Sequence, residues 1–252
     1  MMRLQCNHEG KTFGVALLLA TTVAVTTTRA AFINLTPTAG SPNSSTSVKL
    51  SDLIADTNGI DGILVGDKQI NGFVYSPIGD MPPASSIDVL GYQDPAGNWG
   101  VSFHGAFLDL PGGGISDAML RFVVSIDPVG LRQGLRITDA HLNLNGVGVG
   151  TPDSGFFVDE SFAPDSVQTL HTFMSTFPGG TTQLTDSTVF NPPLTTLHVT
   201  KDILAIASSS SGQPARATVI DQSFSQSPIP EPTSLVLALV GLIGFVGYRR
   251  NR

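Results

Sequence analysis

The sequence predicts an all-β fold, a single antiparallel β-sandwich of jelly-roll-like or Ig-like type, over residues 48–226. Three observations carry this. Strong helix formers are scarce: Glu160 is the only glutamate between the terminal segments, while Gly, Pro, Ser, Thr, Val and Asp abound. Short runs alternate apolar and polar residues at period two. Clusters of Gly, Pro, Asn and Asp punctuate those runs regularly, which favours a sandwich over a parallel α/β sheet.

The first element is the stretch 31–47, rich in Thr, Ser, Asn and Pro, which reads as a flexible N-terminal arm with a short strand at Ala31–Leu35. Ser51–Ala55 has the look of one helical turn. Strands are expected at Lys68–Ser76, at Ser86–Tyr92, and at Asn98–Leu108 with Val101, Phe103 and Phe107 inward and Ser102 and His104 outward. Leu120–Ile126 repeats the alternation. Leu135–Asn145 is long, and its inward face switches between Ile137 and Ala140, which calls for a bulge near Thr138-Asp139. Phe156–Phe162, Leu194–Val199, Ile203–Ala207 and Ala217–Phe224 complete the strands, and Asp165–Met174 is the second helical expectation. Turns are marked at 94–98, 111–114, 127–130, 178–180 and 191–193, with a hairpin loop at Ser208–Gly212. Residues 222–229 read as a short linker between the last strand and the C-terminal segment.

The two ends are of a different kind. Arg3 and Lys11 flank a mixed leading region, Phe13–Val25 is an apolar run after it, and Thr28-Arg29-Ala30 places small residues at a cleavage site; residues 1–30 read as a helical secretory signal peptide. An uncleaved anchor is the alternative. The only cysteine, Cys6, precedes the apolar run and leaves with it, so the mature chain has no thiol or disulfide. The C-terminal segment, 227–252, holds Pro230-Glu231-Pro232, an apolar stretch Leu235-Val236-Leu237-Ala238-Leu239-Val240-Gly241-Leu242-Ile243-Gly244-Phe245-Val246, and the cations Arg249, Arg250 and Arg252. The uncharged run from Thr233 to Tyr248 would span about 24 Å as a transmembrane helix, somewhat short of the roughly 30 Å hydrocarbon core, a mismatch that local thinning absorbs. Arginines after the span place the C-terminus inside and the rest outside. The two prolines hold the preceding stretch extended and remove two backbone donors.

This order of features at a chain end resembles the PEP-CTERM sorting signal of Gram-negative bacteria. The resemblance implies an exosortase-type membrane peptidase as partner, with Pro230, Glu231 and Pro232 as the processing motif. It also implies frequent association with exopolysaccharide and biofilm. Gly66-Asp67-Lys68 followed by Phe73 and Tyr75 is similar to a short pattern in other such ectodomains and carries no function by itself.

Charge narrows the partners. The formal net charge is −7, and between the terminal segments the cations are only Lys49, Lys68, Arg121, Arg132, Arg136, Lys201 and Arg216. That acidic balance excludes the basic footprint nucleic acid requires. No cofactor is called for. Calcium is the one ion left open, at Asp56, Asn58 and Asp61 around Gly59 and Gly62, although the spacing does not match an EF-hand and a capped polar turn explains it better.

Catalytic signatures are weak. Gly146–Gly150 is followed by Thr151-Pro152 rather than a helix, so it reads as a loop and not a dinucleotide site. Gly114-Ile115-Ser116-Asp117-Ala118 has a strand after it where a nucleophile elbow needs a helix. His104, His141, His171 and His198 show no metal-ligand spacing. Trp99, the only tryptophan, with Tyr92 and Tyr75, supplies flat rings that could stack on sugar, against the competing reading of core packing. The expected function is a non-enzymatic cell-surface or matrix protein. It would be a precursor anchored in the inner membrane, its ectodomain in the periplasm, before delivery to the surface or beyond. A carbohydrate-binding module, a permanently anchored ectodomain and an exported hydrolase are the alternatives.

Overall fold

The computed structural model describes residues 31–55 and 59–228. The expected signal peptide at residues 1–30, Asp56 and Asn58 of the calcium reading, and the C-terminal segment from Ile229 onward lie outside the described residues.

Among the described residues, fourteen strands form two sheets. In chain order they are β1 (Ala31–Asn34), β2 (Val48–Lys49), β3 (Ile60–Val65), β4 (Lys68–Ile78), β5 (Asp88–Gln93), β6 (Trp99–Asp109), β7 (Ile115–Ile126), β8 (Leu135–Asn145), β9 (Gly155–Ser161), β10 (Thr169–Ser175), β11 (Thr182–Gln183), β12 (Thr185–Leu194), β13 (Thr196–Ile206) and β14 (Ala215–Pro228). Two five-residue helices, α1 (Leu50–Ile54) and α2 (Pro128–Arg132), are the helical elements beside a 3₁₀ turn at Ala84–Ser86. One sheet has the order β1-β3-β4-β7-β13-β9-β10-β11, the other β12-β8-β14-β6-β5-β2. Pairing between these strands is antiparallel except for β1 beside β3. The expected sandwich is present.

Alternation builds the core. Leu120, Phe122, Val124 and Ile126 of β7 are buried, as are Leu197, Val199, Ile203 and Ala205 of β13 and Val101, Phe103 and Phe107 of β6. Rings meet in the core: Phe122 lies 5.8 Å from Phe73 of the adjacent strand β4 and 5.7 Å from Phe103 of the facing sheet. The bulge in β8 falls where the sequence places it. Ser225 pairs with Asp139 and Gln226 with Ile137, so Thr138 is the extra residue and Ile137 and Ala140 both turn inward.

Several expectations are corrected. Residues 31–47 do not form a free arm: β1 pairs with β3, Leu35 is buried, and the chain crosses to the other sheet, where Ser44 and Gln93 make backbone bonds. Its path needs Gly91, since a Cβ there would lie 1.8 Å from the Leu35 carbonyl oxygen. The second helical expectation, Asp165–Met174, is a turn leading into β10, whose Leu170 and Thr172 are buried on alternate positions. Leu194–Val199 and Ile203–Ala207 belong mainly to one strand, β13. Besides β10, the strands not anticipated are β3, the two-residue β2 and β11, and β12. The strand β12 tolerates Pro192 and Pro193 because it is a sheet edge. The supposed linker from Gln222 is the end of β14.

Two lysines are fully buried, and both reach β14 across the sandwich. Lys201 of β13 sits opposite Glu160 of β9, donates to its carboxylate, and donates also to Gln222 of β14. Lys68 of β4 donates to Asp67 and to Gln226 of β14. Burial pushes both amines below the ordinary lysine range, opposed by the neighbouring carboxylates, and burial pushes the Glu160 carboxyl up. Apolar contacts tolerate sliding, whereas these bridges have fixed donors and acceptors. They therefore set where β14 lies against the eight-stranded sheet.

Candidate functional site

Two regions bear on function: the outer face of the six-stranded sheet, and the end of β14 where the chain leaves the fold.

The outer face of β5, β6, β14 and β8 is polar and closely hydrogen-bonded. Ser102 of β6, expected to be exposed, is fully buried and donates to Asp221 Oδ1 of β14. Asn145 donates to Asp221 Oδ2 at 2.7 Å, and His104 Nε2 lies 2.8 Å from Ser102 Oγ. Burial raises the Asp221 carboxyl, partly offset by the bonds from Ser102 and Asn145 and by His104. Serine, histidine and aspartate thus meet, but in an order unlike a catalytic triad. The serine hydroxyl stands between the other two and gives its proton to the carboxylate, whereas a triad puts histidine in the middle.

Beside this network lies a depression of about 420 Å³ lined by Asp94, Pro95, His141, Asn143, Asp186 and Ser223, among others. Burial alone would raise the Asp94 carboxyl. Bonds from Ser223, from the Asn98 side chain and from the Asn98 and Ala96 amides together hold it below the usual carboxylate range. His141 Nε2 is 2.9 Å from Asp139 Oδ1 and half exposed on the rim.

Of the two readings of the aromatic residues, core packing holds for Trp99 and no platform is assembled. Gly91 faces the core, so Tyr92 next to it on β5 faces outward, where it is nearly covered. Burial, with the charges of Asp221 and Asp94, raises its phenol, against the Asn143 side chain. Trp99 shares the inward parity of Val101 and Phe103 and packs against the core on the other side of the sheet. Its ring covers Gly66 in the β3–β4 turn, where φ is +61° and a Cβ would lie 2.4 Å from the indole. Tyr75 bonds the Pro82 carbonyl at 3.0 Å, and burial raises its phenol strongly. The sequence pattern around Gly66-Asp67-Lys68, Phe73 and Tyr75 is therefore a folding motif: a turn capped by indole, a buried lysine and a core ring.

The other candidates are structural too. Ser116 Oγ is buried, donates to Asp109 Oδ1 at 2.6 Å and accepts from the Asp80 amide. Gly146–Gly150 is a loop in which Gly148 bridges to Arg216. His171 pairs with Asp159 and His198 with Asp165. Asp61 is exposed. Among the described residues, no group of three or more His, Cys, Asp or Glu is placed to hold a metal ion.

On the outer face of the other sheet three carboxylates line up across strands. Asp202 of β13 pairs with Asp159 of β9 and lies near Asp117 of β7. Partial burial, a hydrogen bond with Asp117 and the charges of Asp117 and Asp159 push the Asp202 carboxyl from 3.8 up to about 6. The folded state therefore holds this proton more tightly than the unfolded chain, and stability falls as pH rises from about 4 through about 6. Asp202→Asn is expected to stabilise the fold at pH 7 by about 1 kcal/mol, allowing for solvent screening, and by nothing measurable at pH about 4. Thermal unfolding at the two pH values checks this.

The second region is the exit of the chain. β14 is a central strand, held between β8 and β6 as far as Phe224, and stays paired with β8 to its last residue, where Pro228 meets Leu135. Residues 228–251 match the PEP-CTERM protein-sorting motif. The chain carries the sorting signal of exported PEP-CTERM proteins. Such a signal implies passage through the membrane and processing by exosortase, a membrane protein. The signal begins on the last residue of a core strand, with no linker between fold and motif.

Other comparisons add little. No curated protein matches the chain. Among solved structures it is similar to a family 11 carbohydrate-binding module from Clostridium thermocellum in complex with a β-1,3-1,4-mixed-linked tetrasaccharide, at 8% identity over 70% of this chain and 95% of that one. The TM-score is 0.18, too low to carry an argument.

Proposed function

We propose that this chain is a non-enzymatic exported protein, held in the inner membrane by Leu235–Val246, cut near Pro230–Pro232, and delivered to the cell surface or extracellular matrix. The single observation behind this is the sorting motif joined without a linker to a closed sandwich. Arg249, Arg250 and Arg252 act as the cytoplasmic stop, leaving the sandwich in the periplasm until release. The polar groups that resembled catalytic residues are engaged in holding strands together, which supports a binding or structural role over turnover. The test is the intact mass and location of the native protein in its own cells. A species running from near Ala31 to the Pro-Glu-Pro region, outside the cell or on its surface, supports the proposal. A membrane species retaining Arg252 would make it a permanently anchored ectodomain.

A second reading, binding of matrix polysaccharide, rests on the polar depression of the six-stranded sheet. Carboxylate, amide, hydroxyl and imidazole groups converge there, the set that hydrogen-bonds sugar hydroxyls. Its acidity favours a neutral polysaccharide over an anionic one. His141→Ala, at the rim, is expected to weaken retention in affinity electrophoresis by about fivefold, the loss of one hydrogen bond or so. Trp99 emission should stay unchanged on binding, since the indole faces the other way. Retention equal to wild type would count against this groove.

A further inference from the structure

The sorting segment departs from the end of the sandwich that carries α2. Pro228 pairs with Leu135, and Leu135 packs beneath Gly130 of α2. α2 therefore sits beside the exit point. It exposes Val129 by 51% and Leu131 by 41%. Arg132 in its last turn is exposed, and Arg136, the partner of Ser227, is half-buried next to it. Of the acids near this end, Asp127 caps α2 by accepting from the Gly130 amide at 2.6 Å and Asp67 holds Lys68 at 2.9 Å, while Glu231 lies in the segment that follows. In a strongly acidic domain, this end combines apolar side chains with the exposed Arg132 and with Arg136, whose guanidinium donates to the Leu135 carbonyl at 2.8 Å and has no carboxylate partner among the described residues.

From these observations we infer that α2 and the start of β8 dock on the anionic headgroups of the same bilayer that the C-terminal segment enters. The inference rests on reading that segment as a membrane span. Only Ile229, Pro230, Glu231 and Pro232 separate Pro228 from the uncharged run that begins at Thr233. Fully extended, they reach about 14 Å, and the headgroup zone itself takes up roughly 5–7 Å on each side of the core. The end bearing α2 is thus held within a side chain's length or two of the lipid surface. A weak patch suffices at such range, because contact is intramolecular and the effective concentration is of millimolar order. Val129 and Leu131 enter the acyl boundary as the apolar side of an interfacial helix does, and Arg132 and Arg136 supply the attraction to anionic lipid. Docking fixes the sandwich upright over the membrane and presents Pro230-Glu231-Pro232 at a defined depth.

The test uses the full chain with Cys6→Ser and one added cysteine, at Gln133 beside the patch or at Ser210 on the distant β13–β14 loop, each carrying an environment-sensitive fluorophore. The protein is reconstituted in vesicles of phosphatidylglycerol and phosphatidylcholine containing a nitroxide-headgroup lipid. Flotation is measured alongside quenching. The label at 133 is expected to shift to the blue and be quenched about threefold more than the label at 210, and the combined Val129→Ser, Leu131→Ser, Arg132→Gln, Arg136→Gln variant to lose most of that difference while still floating. Protein that floats but shows equal quenching at both positions overturns docking and leaves the span intact. Quenching at 133 that survives the four substitutions overturns the patch and assigns proximity to the tether. Protein that does not float overturns the membrane span itself, and docking with it. An unchanged Trp99 emission maximum in the variant shows that the fold is retained.

Discussion

Replacing Glu160 by glutamine is expected to lower the free energy of unfolding by about 3–5 kcal/mol, the cost of leaving a buried charge without its counterion. Lys201 is fully buried, and the Glu160 carboxylate and the Gln222 amide oxygen are the acceptors of its amine. Burial already pulls this amine below the ordinary lysine range while Glu160 opposes the shift. Without the carboxylate the amine falls further, and the folded state sheds a proton that the unfolded chain keeps up to its ordinary value. Between the two values the unfolded state binds more protons, so the variant gains stability as pH rises through alkaline conditions. A paired replacement, Lys201→Met with Glu160→Leu, is expected to recover stability to within about 1–2 kcal/mol of wild type, the remainder reflecting Gln222 left without its donor. Urea unfolding at neutral and alkaline pH measures all three proteins. A loss under about 1 kcal/mol in Glu160→Gln would mean that the pair is not ionised in the fold.

Much of the sandwich was legible because its strands are buried on one face and so write their parity into the sequence. The β8 bulge is the best instance: two apolar residues an odd distance apart, Ile137 and Ala140, both had to point inward. The buried lysines were missed although the same signal was available. Lys201 stands at the inward parity of Leu197, Val199, Ile203 and Ala205, and Glu160 at that of Phe156 and Val158. Gln222 stands between Ile220 and Phe224. Taken one strand at a time, a charged residue at an inward position looks like a break, which is why β13 reads as two strands divided at Lys201-Asp202. Only the pairing across strands reveals that the charges answer one another. The edge strand β12 failed for the opposite reason: it is largely exposed, so its alternation carries little, and its prolines argued for a turn. The aromatic platform failed because sequence proximity of Tyr92 and Trp99 does not decide which face of the sheet each ring takes. The sorting motif needed no fold to be read, since membrane thickness and charge asymmetry act on the linear chain.

Changing Pro230, Glu231 and Pro232 together to alanine is expected to leave the precursor uncut in the membrane, an all-or-none change in the mass and location of the protein. The reason lies in the joint between fold and motif. β14 is paired with β8 up to Pro228, its pairing with β6 ending at Phe224, and Lys68 of the facing sheet holds Gln226, so the end of the strand is fastened by β8 on one side and by Lys68 from across the sandwich. A peptidase cannot gain reach by drawing out slack from the domain. Whatever it binds must come from the residues between Pro228 and the span. On the reading proposed above, the two prolines of that stretch favour an extended backbone, lack amide donors of their own, and flank the one carboxylate. Alanine at all three positions permits helical continuation from the span toward the fold, which withdraws the extended substrate without altering the apolar run or the arginines. The membrane fraction should then hold a species retaining Arg252, while truncation after Pro232 should instead release protein that never depended on cleavage. If the alanine variant is cut where the wild type is cut, recognition lies in the span and its arginines. The tight joint would then limit only how closely the enzyme approaches.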